Sequence, residues 1–199
     1  MTEIGKEAPD FEVLDNNGQM VKLSSFRGSK NVLLLFYPFA FSGICTGELC
    51  AMRDDLKPFQ NDDVQLLAIS CDPMYSNKAF AIQEGYKFPV LSDFWPHGAA
   101  AKAYGVFNED LGCALRGTFI LDKQGIVRWS VVNGLGDART ADRLHEMSTP
   151  ETMVLEIGEC VHHVVQCGKF IPGALTEVEG SCTDCEVLDG HVLAHNVEW

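Results

Sequence analysis

Residues 31–37, NVLLLFY, form an almost continuous apolar run. A run of this length without alternating polar residues is typical of a strand that is buried on both faces of a sheet. A second, largely apolar run, VQLLAISCD, follows at residues 64–72. Such strands need helices packed on the sheet, so the sequence predicts an α/β fold.

The remaining segments fill in this α/β pattern. Helices are predicted at 47–59 (GELCAMRDDLKPF), 76–86 (SNKAFAIQEGY) and 98–106 (GAAAKAYGV), and a third strand at 88–93 (FPVLSD). Strands separated by helices imply parallel pairing. Hairpins are predicted around Asn17-Gly18 and at the turn 123–125 of GTFILDKQGIVRWSVV. The sequence therefore predicts a mixed central sheet flanked by helices.

The composition changes near residue 148, where we place a domain boundary. Residues 148–199 hold nine acidic residues, one basic residue and four of the eight cysteines. The alternating strands and helices before the boundary close with a helix predicted at 141–147, ADRLHEM. The sequence therefore predicts a larger domain over 1–147 and a small acidic, Cys/His-rich C-terminal extension over 148–199.

The charge and the hydropathy pattern disfavour two classes of partner. The chain has 28 acidic and 15 basic residues, a formal net charge of −13, which disfavours binding to nucleic-acid phosphates. No apolar run is long enough to span a bilayer, and the first residues, MTEIGKEAPDFEV, lack the features of a secretory signal. We therefore expect a cytoplasmic protein without a membrane partner, in which any disulfides are catalytic rather than structural.

The segment YPFAFSGICTGELC, residues 37–50, places a cysteine between a buried strand and a predicted helix. Cys45 is expected in the first turn, where backbone N–H groups and the positive end of the helix dipole stabilise a thiolate. Ser42 is close enough to direct its hydroxyl at the same place, and Pro38 fixes the loop without an N–H group. Cys45 is therefore a candidate nucleophile, although a lone cysteine at such a junction is more often a small buried hydrophobe.

The same segment resembles the active site of a known family. Pro38-x-x-x-Ser42-x-x-Cys45 is similar to the Pxxx(T/S)xxC motif of the peroxiredoxins. Glu48 lies where that family often has a glutamate, and Arg116, in RGTFIL, matches its second active-site arginine. The resemblance extends over residues 3–140, points to the AhpE-like branch and implies a thioredoxin-like fold.

This resemblance implies a thiol peroxidase that needs no cofactor for catalysis. The Cys45 thiolate would attack one peroxide oxygen, becoming a sulfenic acid and releasing water or an alcohol. Arg116 would stabilise the thiolate and the leaving oxygen, while Glu48 would orient Arg116. Ser42 and the Cys45 N–H would hold the peroxide. From the residues alone, the alternatives are a surface ion pair for Arg116 and, for Glu48, an acid that interacts with the helix dipole.

Cys50 follows Cys45 at a spacing that resembles the PrxQ branch of peroxiredoxins. There the second cysteine resolves the sulfenic acid as an intramolecular disulfide, which implies the same role for Cys50. Residues five apart on a helix differ by about 7.5 Å in rise and about 140° in direction, whereas a disulfide needs Cα atoms within about 4.4–6.8 Å. The first turn would therefore have to unwind before the sulfurs could bond. The alternative for Cys50 is apolar packing.

Several other residues are candidates for structural roles. Cys71, in AISCD, and Cys113, in LGCALRG, are predicted to be packing residues, with Cys113 a weaker candidate for the resolving cysteine. His97 is predicted to be a solvent-exposed residue at a helix start, with a general acid as the alternative. Four aromatic residues either wall the pocket around Cys45 or belong to the ordinary core and interfaces. They are Phe39, Phe41, Trp95 and Tyr104.

The C-terminal extension carries cysteines and histidines that allow three interpretations. It contains Cys160, Cys167, the pair Cys182-x-x-Cys185, and histidines at 162, 163, 191 and 195. Thiolate and imidazole groups are the usual ligands of zinc, which makes the four cysteines candidate ligands of a structural zinc ion. The other interpretations are a dithiol relay that passes electrons to Cys45, and an extension whose cysteines have no function.

Together these features predict a thiol-dependent peroxidase acting on hydrogen peroxide and organic hydroperoxides. Its reductant would be a thioredoxin-like protein or a low-molecular-weight thiol, and the resemblance implies a homodimer. The alternative is a peroxide sensor, or a zinc-stabilised redox interaction module, in which Cys45 oxidation is a signal. A thioredoxin-type disulfide reductase is disfavoured because its CxxC motif would need a cysteine at position 42, where this chain has serine.

Overall fold

The computed structural model describes residues 2–139 and two short strands close to the C-terminus. The chain divides into two compact units, Met1–Pro150 and Glu151–Trp199, which we consider separately. The helix predicted at 141–147 and the boundary predicted at residue 148 lie outside the described residues and stay predictions. None of the described helices is long and apolar enough to cross a membrane.

A seven-stranded mixed sheet forms the centre of the first unit. The strands of this unit are β1 Glu12–Asp15, β2 Met20–Lys22, β3 Asn31–Phe36, β4 Val64–Ser70, β5 Val90–Ser92, β6 Phe107–Asn108, β7 Cys113–Ala114, β8 Arg116–Leu121 and β9 Val127–Asn133. The order across the large sheet is β2-β1-β5-β4-β3-β8-β9, while β6 and β7 pair with each other. The pairs β3–β4 and β4–β5 are parallel and the other pairs are antiparallel, so the predicted mixed sheet is confirmed.

Helices cover both faces of this sheet. They are α1 Gly43–Asp54, α2 Met74–Glu84 and α3 Ala99–Ala103, and a short 3-10 helix spans Leu23–Phe26. All six residues of β3 are buried, and their side chains alternate between the two faces. Leu33 and Leu35 join one apolar cluster with residues of α1 and α2, whereas Leu34 and Phe36 join a second cluster with residues of α3. The continuous apolar run of β3 is explained by this double burial.

Both predicted hairpins are present. The first joins β1 to β2 through a turn in which Gly18 has a φ of +79°, a conformation that glycine adopts at little cost. The second joins β8 to β9, with Gly125 at a φ of +80° in the turn. Two features were not predicted: β1 also pairs with β5, and β6 and β7 form a short ladder of their own.

The predicted bounds of the first helix were wrong. The helix begins four residues earlier than predicted, at Gly43, and ends at Asp54 rather than at residue 59. It stops because Asp55 leaves the helical region, at φ −126° and ψ 66°. Pro58 then disfavours the helical conformation of the residue before it. Cys45 and Cys50 both lie within α1, and Cys45 is in its first turn as predicted.

The described part of the second unit is an antiparallel pair of strands, β10 Cys185–Leu188 and β11 His191–Ala194. Three of the four candidate zinc ligands, at 160, 167 and 182, lie outside the described residues. The fourth, Cys185, begins β10, where its backbone is in register with Ala194. Within the described residues no group of three His, Cys, Asp or Glu side chains could hold a metal ion.

Candidate active site

The sheet topology brings the predicted site residues to one end of β3. The loop after β3 leads into α1, which carries Cys45 in its first turn. Because β8 runs antiparallel to β3, with Leu35 opposite Thr118, the first residue of β8, Arg116, lies beside the end of β3. Residues that are 71 positions apart in the sequence are therefore neighbours in the fold.

The loop between β3 and α1 is held in place by residues that follow β4 and by residues of α2. The Ala40 N–H donates to the Asp72 carboxylate at 2.8 Å, just after the end of the neighbouring strand β4. Phe41 has a φ of +65°, and its ring packs on that of Phe80 with 4.9 Å between centroids. A left-handed conformation costs a non-glycine residue on the order of 1–3 kcal/mol and persists only where its surroundings enforce it. The strained residue immediately precedes Ser42, so the strain lies next to the predicted pocket.

Cys45 is the third residue of α1 and is fully buried. The Arg116 Nη1 donates a hydrogen bond to the Cys45 Sγ at 3.3 Å. The sulfur thus lies between the first-turn backbone N–H groups of a helix and a guanidinium, both of which favour negative charge.

Arg116 is held by contacts on every nitrogen of its guanidinium. Its Nη1 forms an ion pair with the Glu48 Oε2 at 2.7 Å, and both side chains are buried. Its Nε and Nη2 donate to the carbonyl of Leu135 at 3.0 and 2.9 Å. The alternatives of a surface ion pair for Arg116 and of a simple first-turn acid for Glu48 do not describe this buried arrangement.

A second buried arginine, Arg139, completes the cluster and was not anticipated. Its N–H and Nη1 donate to the two Glu48 oxygens at 2.6 and 3.0 Å, and its Nε donates to the Thr118 hydroxyl at 2.9 Å. Its Nη2 donates to the carbonyls of Phe36 and Gly117. Burial lowers the pKa of Arg139 to about 10, and Glu48 opposes this decrease, so the residue remains a cation at neutral pH. The sequence around it, GDART, shows no pattern that indicates these backbone partners.

A cleft of about 250 Å³ opens beside this cluster. It is lined by Pro38, Phe39, Ser42, Gly43, Ile44, Arg116 and Leu135. Ser42 precedes α1 and makes no capping hydrogen bond with its side chain. Its Oγ is buried and has no hydrogen-bond partner within the described residues. The structure thus places Pro38, Ser42 and Arg116 around one cavity next to Cys45.

Cys50 lies on α1 in a different environment and is half-buried. Its Sγ is 3.6 Å from the Glu84 Oε2 and 4.0 Å from the Tyr86 hydroxyl. Since Cys45 and Cys50 belong to one intact helix, the structure separates the two thiols as the helical spacing predicts.

Cys71 and Cys113 are buried away from solvent. Burial, together with the nearby Asp93 carboxylate, raises the pKa of Cys71 to about 12. Burial also raises the pKa of Cys113, with a further contribution from Asp72. Both thiols therefore remain protonated at neutral pH, in keeping with their predicted packing roles.

The aromatic candidates separate into three groups. Phe39 lines the cleft. Tyr104, in contrast, is fully buried in the core cluster on the other face of the sheet. Its hydroxyl donates to the Pro9 carbonyl at 3.0 Å. Trp95 is 81% exposed, and Phe41 is partly exposed against Phe80. Tyr104 is therefore a core residue rather than a pocket wall.

His97 is exposed, as predicted, and precedes α3. Its Nε2 lies 2.7 Å from the Gly112 carbonyl and its Nδ1 lies 3.3 Å from the Phe94 carbonyl. Both ring nitrogens thus contact backbone, which indicates that His97 ties two loops together.

Comparison with known proteins identifies relatives of this chain. Residues 4–130 match the AhpC/TSA family. Alkyl hydroperoxide reductase E of Mycobacterium tuberculosis is 53% identical over 139 residues, which are 70% of this chain and 91% of that protein. The crystal structure of Enterococcus faecalis AhpC matches with a TM-score of 0.69 and 30% identity, over 80% of this chain and 98% of that one. The reduced 2-Cys peroxiredoxin of Plasmodium vivax matches with a TM-score of 0.65 and 32% identity, over 74% and 80%. These likenesses confirm the predicted thioredoxin-like fold.

Proposed function

Because the chain belongs to the AhpC/TSA family, as a peroxiredoxin of the AhpE-like branch and thus a thiol-dependent peroxidase, we propose that Cys45 is the residue that attacks peroxide. The observation that carries this proposal is the hydrogen bond from the buried Arg116 Nη1 to the Cys45 Sγ. A guanidinium remains charged at neutral pH and is a strong partner for a thiolate. Of the four cysteines within residues 2–139, Cys45 alone receives a hydrogen bond from an arginine.

The charge balance of the buried cluster supports a thiolate at this position. Arg116 and Arg139 contribute two positive charges, and Glu48 contributes one negative charge. Burying an unbalanced charge is unfavourable, and a Cys45 thiolate would bring the cluster to neutrality. In this arrangement Glu48 orients both arginines, and Arg139 holds Glu48 through its backbone and its side chain.

The proposed reaction is a displacement at one peroxide oxygen. The Cys45 sulfur forms a bond to that oxygen, the O–O bond breaks, and the other oxygen leaves as water or an alcohol after taking up a proton. Arg116 is placed to stabilise the negative charge that develops on the leaving oxygen. The unpartnered Ser42 hydroxyl would gain a peroxide oxygen as its partner, which removes a penalty of about 1–3 kcal/mol for a buried unpaired polar group.

The lining of the cleft supports organic hydroperoxides as well as hydrogen peroxide as substrates. Phe39, Ile44, Leu135 and Pro38 give the cleft a largely apolar lining. The polar side chains of the lining are those of Arg116 and Ser42. A relative at 53% identity is named for alkyl hydroperoxides, which is consistent with this lining.

We further propose that Cys50 resolves the sulfenic acid as a disulfide with Cys45, and that a thioredoxin-like protein or a small thiol reduces it. The peroxiredoxin family implies a peroxide substrate and a thiol reductant, and needs no cofactor for catalysis. The homodimer, the cytoplasmic location and the zinc site in the extension are parts of the same proposal. Metal analysis of full-length protein, compared with a Cys182→Ser/Cys185→Ser variant, tests the zinc site: equal zinc content in both would contradict it.

Stopped-flow measurement of Cys45 oxidation tests the proposed nucleophile and its partner. Cys45→Ser should abolish the rapid reaction with peroxide, and Arg116→Met should slow it by about 10²–10³-fold, the usual loss when a stabilising donor is removed. Arg27→Met is the matched control, because Arg27 forms its ion pair with Glu7 on the surface. Equal rates for Arg116→Met and Arg27→Met would contradict the proposal. Repeated turnover with a thiol reductant separates a peroxidase from a stoichiometric sensor.

A further inference from the structure

The surroundings of Cys50 contain a carboxylate that the peroxide reaction does not use. The Cys50 thiol donates to the Glu84 Oε2, with 3.6 Å between sulfur and oxygen. The Tyr86 hydroxyl lies 4.0 Å from the same sulfur. The thiol of the proposed resolving cysteine is therefore bound to a proton acceptor on one side and lies next to a hydroxyl on the other.

The position of Glu84 is unusual for an acid. It is the last residue of α2, where the negative end of the helix dipole disfavours a carboxylate. Among residues 2–139, no lysine or arginine forms an ion pair with its side chain. Its Oε1 accepts a hydrogen bond from the Gln83 amide at 2.9 Å, and its Oε2 accepts from the Cys50 thiol. Helix stability therefore does not account for an acid here, whereas a role toward Cys50 does.

The contact between Cys50 and Glu84 can survive the unwinding that a disulfide requires. Leu49 and Met52, on either side of Cys50, are buried in the core. The Arg53 Nη1 donates to the Glu84 main-chain carbonyl at 2.6 Å, which ties the second half of α1 to the end of α2. The first turn is held on its buried side by the hydrogen bond from Arg116 to Cys45, which has to break before that turn unwinds. Unwinding from the N-terminal end would therefore move Cys45 toward a Cys50 that stays in contact with Glu84.

We propose that Glu84 is the proton acceptor for Cys50 when Cys50 attacks the Cys45 sulfenic acid, an inference that rests on the resolving role proposed above. The Cys50 thiol gives its proton to the Glu84 carboxylate, and the Cys50 sulfur forms a bond to the Cys45 sulfur. The S–O bond of the sulfenic acid breaks, and hydroxide leaves and is protonated to water. The sulfenic sulfur is reduced, the thiol sulfur is oxidised, and the products are one disulfide and one water molecule.

The other groups around Cys50 fit this assignment. Burial, with contributions from Cys50 and Glu84, strongly raises the pKa of Tyr86, so Tyr86 keeps its proton and cannot act as the base. Its hydroxyl can instead donate to the sulfur as negative charge develops there. Arg53 is a cation and has no proton-accepting capacity. Glu84 is therefore the base among the titratable groups that face Cys50.

The test follows the two steps of oxidation separately. Full-length protein is mixed with one equivalent of hydrogen peroxide, quenched in acid at increasing times, alkylated and analysed by mass spectrometry for sulfenic acid and for the Cys45–Cys50 disulfide. The variants are Glu84→Gln, which keeps the shape but not the basicity, and Glu84→Asp, which keeps a carboxylate. Asp54→Asn is the control, because it removes an equal charge one helical turn from Cys50, at an exposed acid bound to Arg53.

Glu84→Gln should slow disulfide formation at pH 7 by about tenfold or more, since general bases contribute about 10²–10⁴ in rate. Its rate should also rise about tenfold per pH unit, because attack then needs a thiolate formed by solvent, while the wild-type rate changes much less. Glu84→Asp should recover most of the rate, and Asp54→Asn should match the wild type. A Glu84→Gln rate and pH profile equal to those of the wild type, or an equal effect of Asp54→Asn, would overturn the role of Glu84 alone. Absence of the disulfide in the wild type would overturn the resolving role of Cys50 as well.

Discussion

Replacing Gly47 with alanine should slow disulfide formation without affecting the reaction with peroxide. Gly47 lies inside α1 between the two cysteines, on the exposed side of the helix. A Cβ added there meets no atom within 4 Å, and the backbone does not have a positive φ. The substitution therefore changes only the helix propensity of the segment that must unwind.

The expected decrease in the rate of disulfide formation follows from the difference in helix propensity between glycine and alanine. Alanine is more favourable than glycine inside a helix by about 0.5–1 kcal/mol. If unwinding precedes attack, the open fraction falls by the same free energy, which corresponds to about a two- to fivefold slower disulfide formation. The first step should keep its rate, because Gly47 is not among the residues that line the cleft. Since the sulfenic acid then persists for longer, more of it should be overoxidised to sulfinic acid at high peroxide.

The quenched-flow assay described above measures both steps, and Ala51→Gly is the matched control. Ala51 is exposed on the same helix but lies beyond Cys50, so glycine there destabilises α1 by a similar amount outside the segment between the cysteines. We expect Ala51→Gly to form the disulfide at the wild-type rate. A wild-type rate in Gly47→Ala would refute unwinding between the cysteines as an equilibrium that precedes attack. Acceleration in Ala51→Gly would show that the whole helix opens rather than its first turns.

Two further predictions concern buried groups. Glu48→Gln should lower the free energy of unfolding by about 3–5 kcal/mol, measured by urea denaturation, because it leaves Arg116 and Arg139 buried without their carboxylate. It should also slow Cys45 oxidation in stopped flow, whereas loss of stability at an unchanged rate would contradict the orienting role of Glu48. Native protein treated with iodoacetamide at pH 8 should leave Cys71 and Cys113 unlabelled, since burial raises the pKa of Cys71 to about 12 and also that of Cys113. Peptide mapping checks this, and rapid labelling of either residue would contradict it.

The strands could be predicted from the sequence because buried strands and their turns produce local patterns of apolar residues and glycines. The run NVLLLFY is apolar throughout since both faces of β3 are covered, and the turn glycines at 18 and 125 mark hairpins through their backbone conformation. The pairing of β1 with β5 was not predictable in the same way. It joins segments more than seventy residues apart, and short strands leave no periodic pattern that indicates a neighbour.

Site residues could be predicted where they lie close together in the sequence or where they begin a recognisable strand. Pro38, Ser42 and Cys45 lie within eight residues of sequence, and Arg116 begins a recognisable strand. Arg139 contacts Glu48 and main-chain carbonyls of two strands, all of them distant from it in the sequence. A residue that is fixed by distant backbone atoms leaves no local signal, so only the fold could reveal it.

The bounds of α1 also decide how Gly47 affects the unwinding of the helix. A helix starting at Gly47 would place that glycine at a helix end, where it has little effect on unwinding. With the helix starting at Gly43, Gly47 lies inside α1 on its exposed side, while Cys45 and Glu48 are buried in the same half. Leu49 and Arg53 anchor the C-terminal half through the core and the end of α2. Unwinding between the two cysteines therefore has to break the contact of Cys45 with Arg116, whereas Cys50 can keep its contact with Glu84.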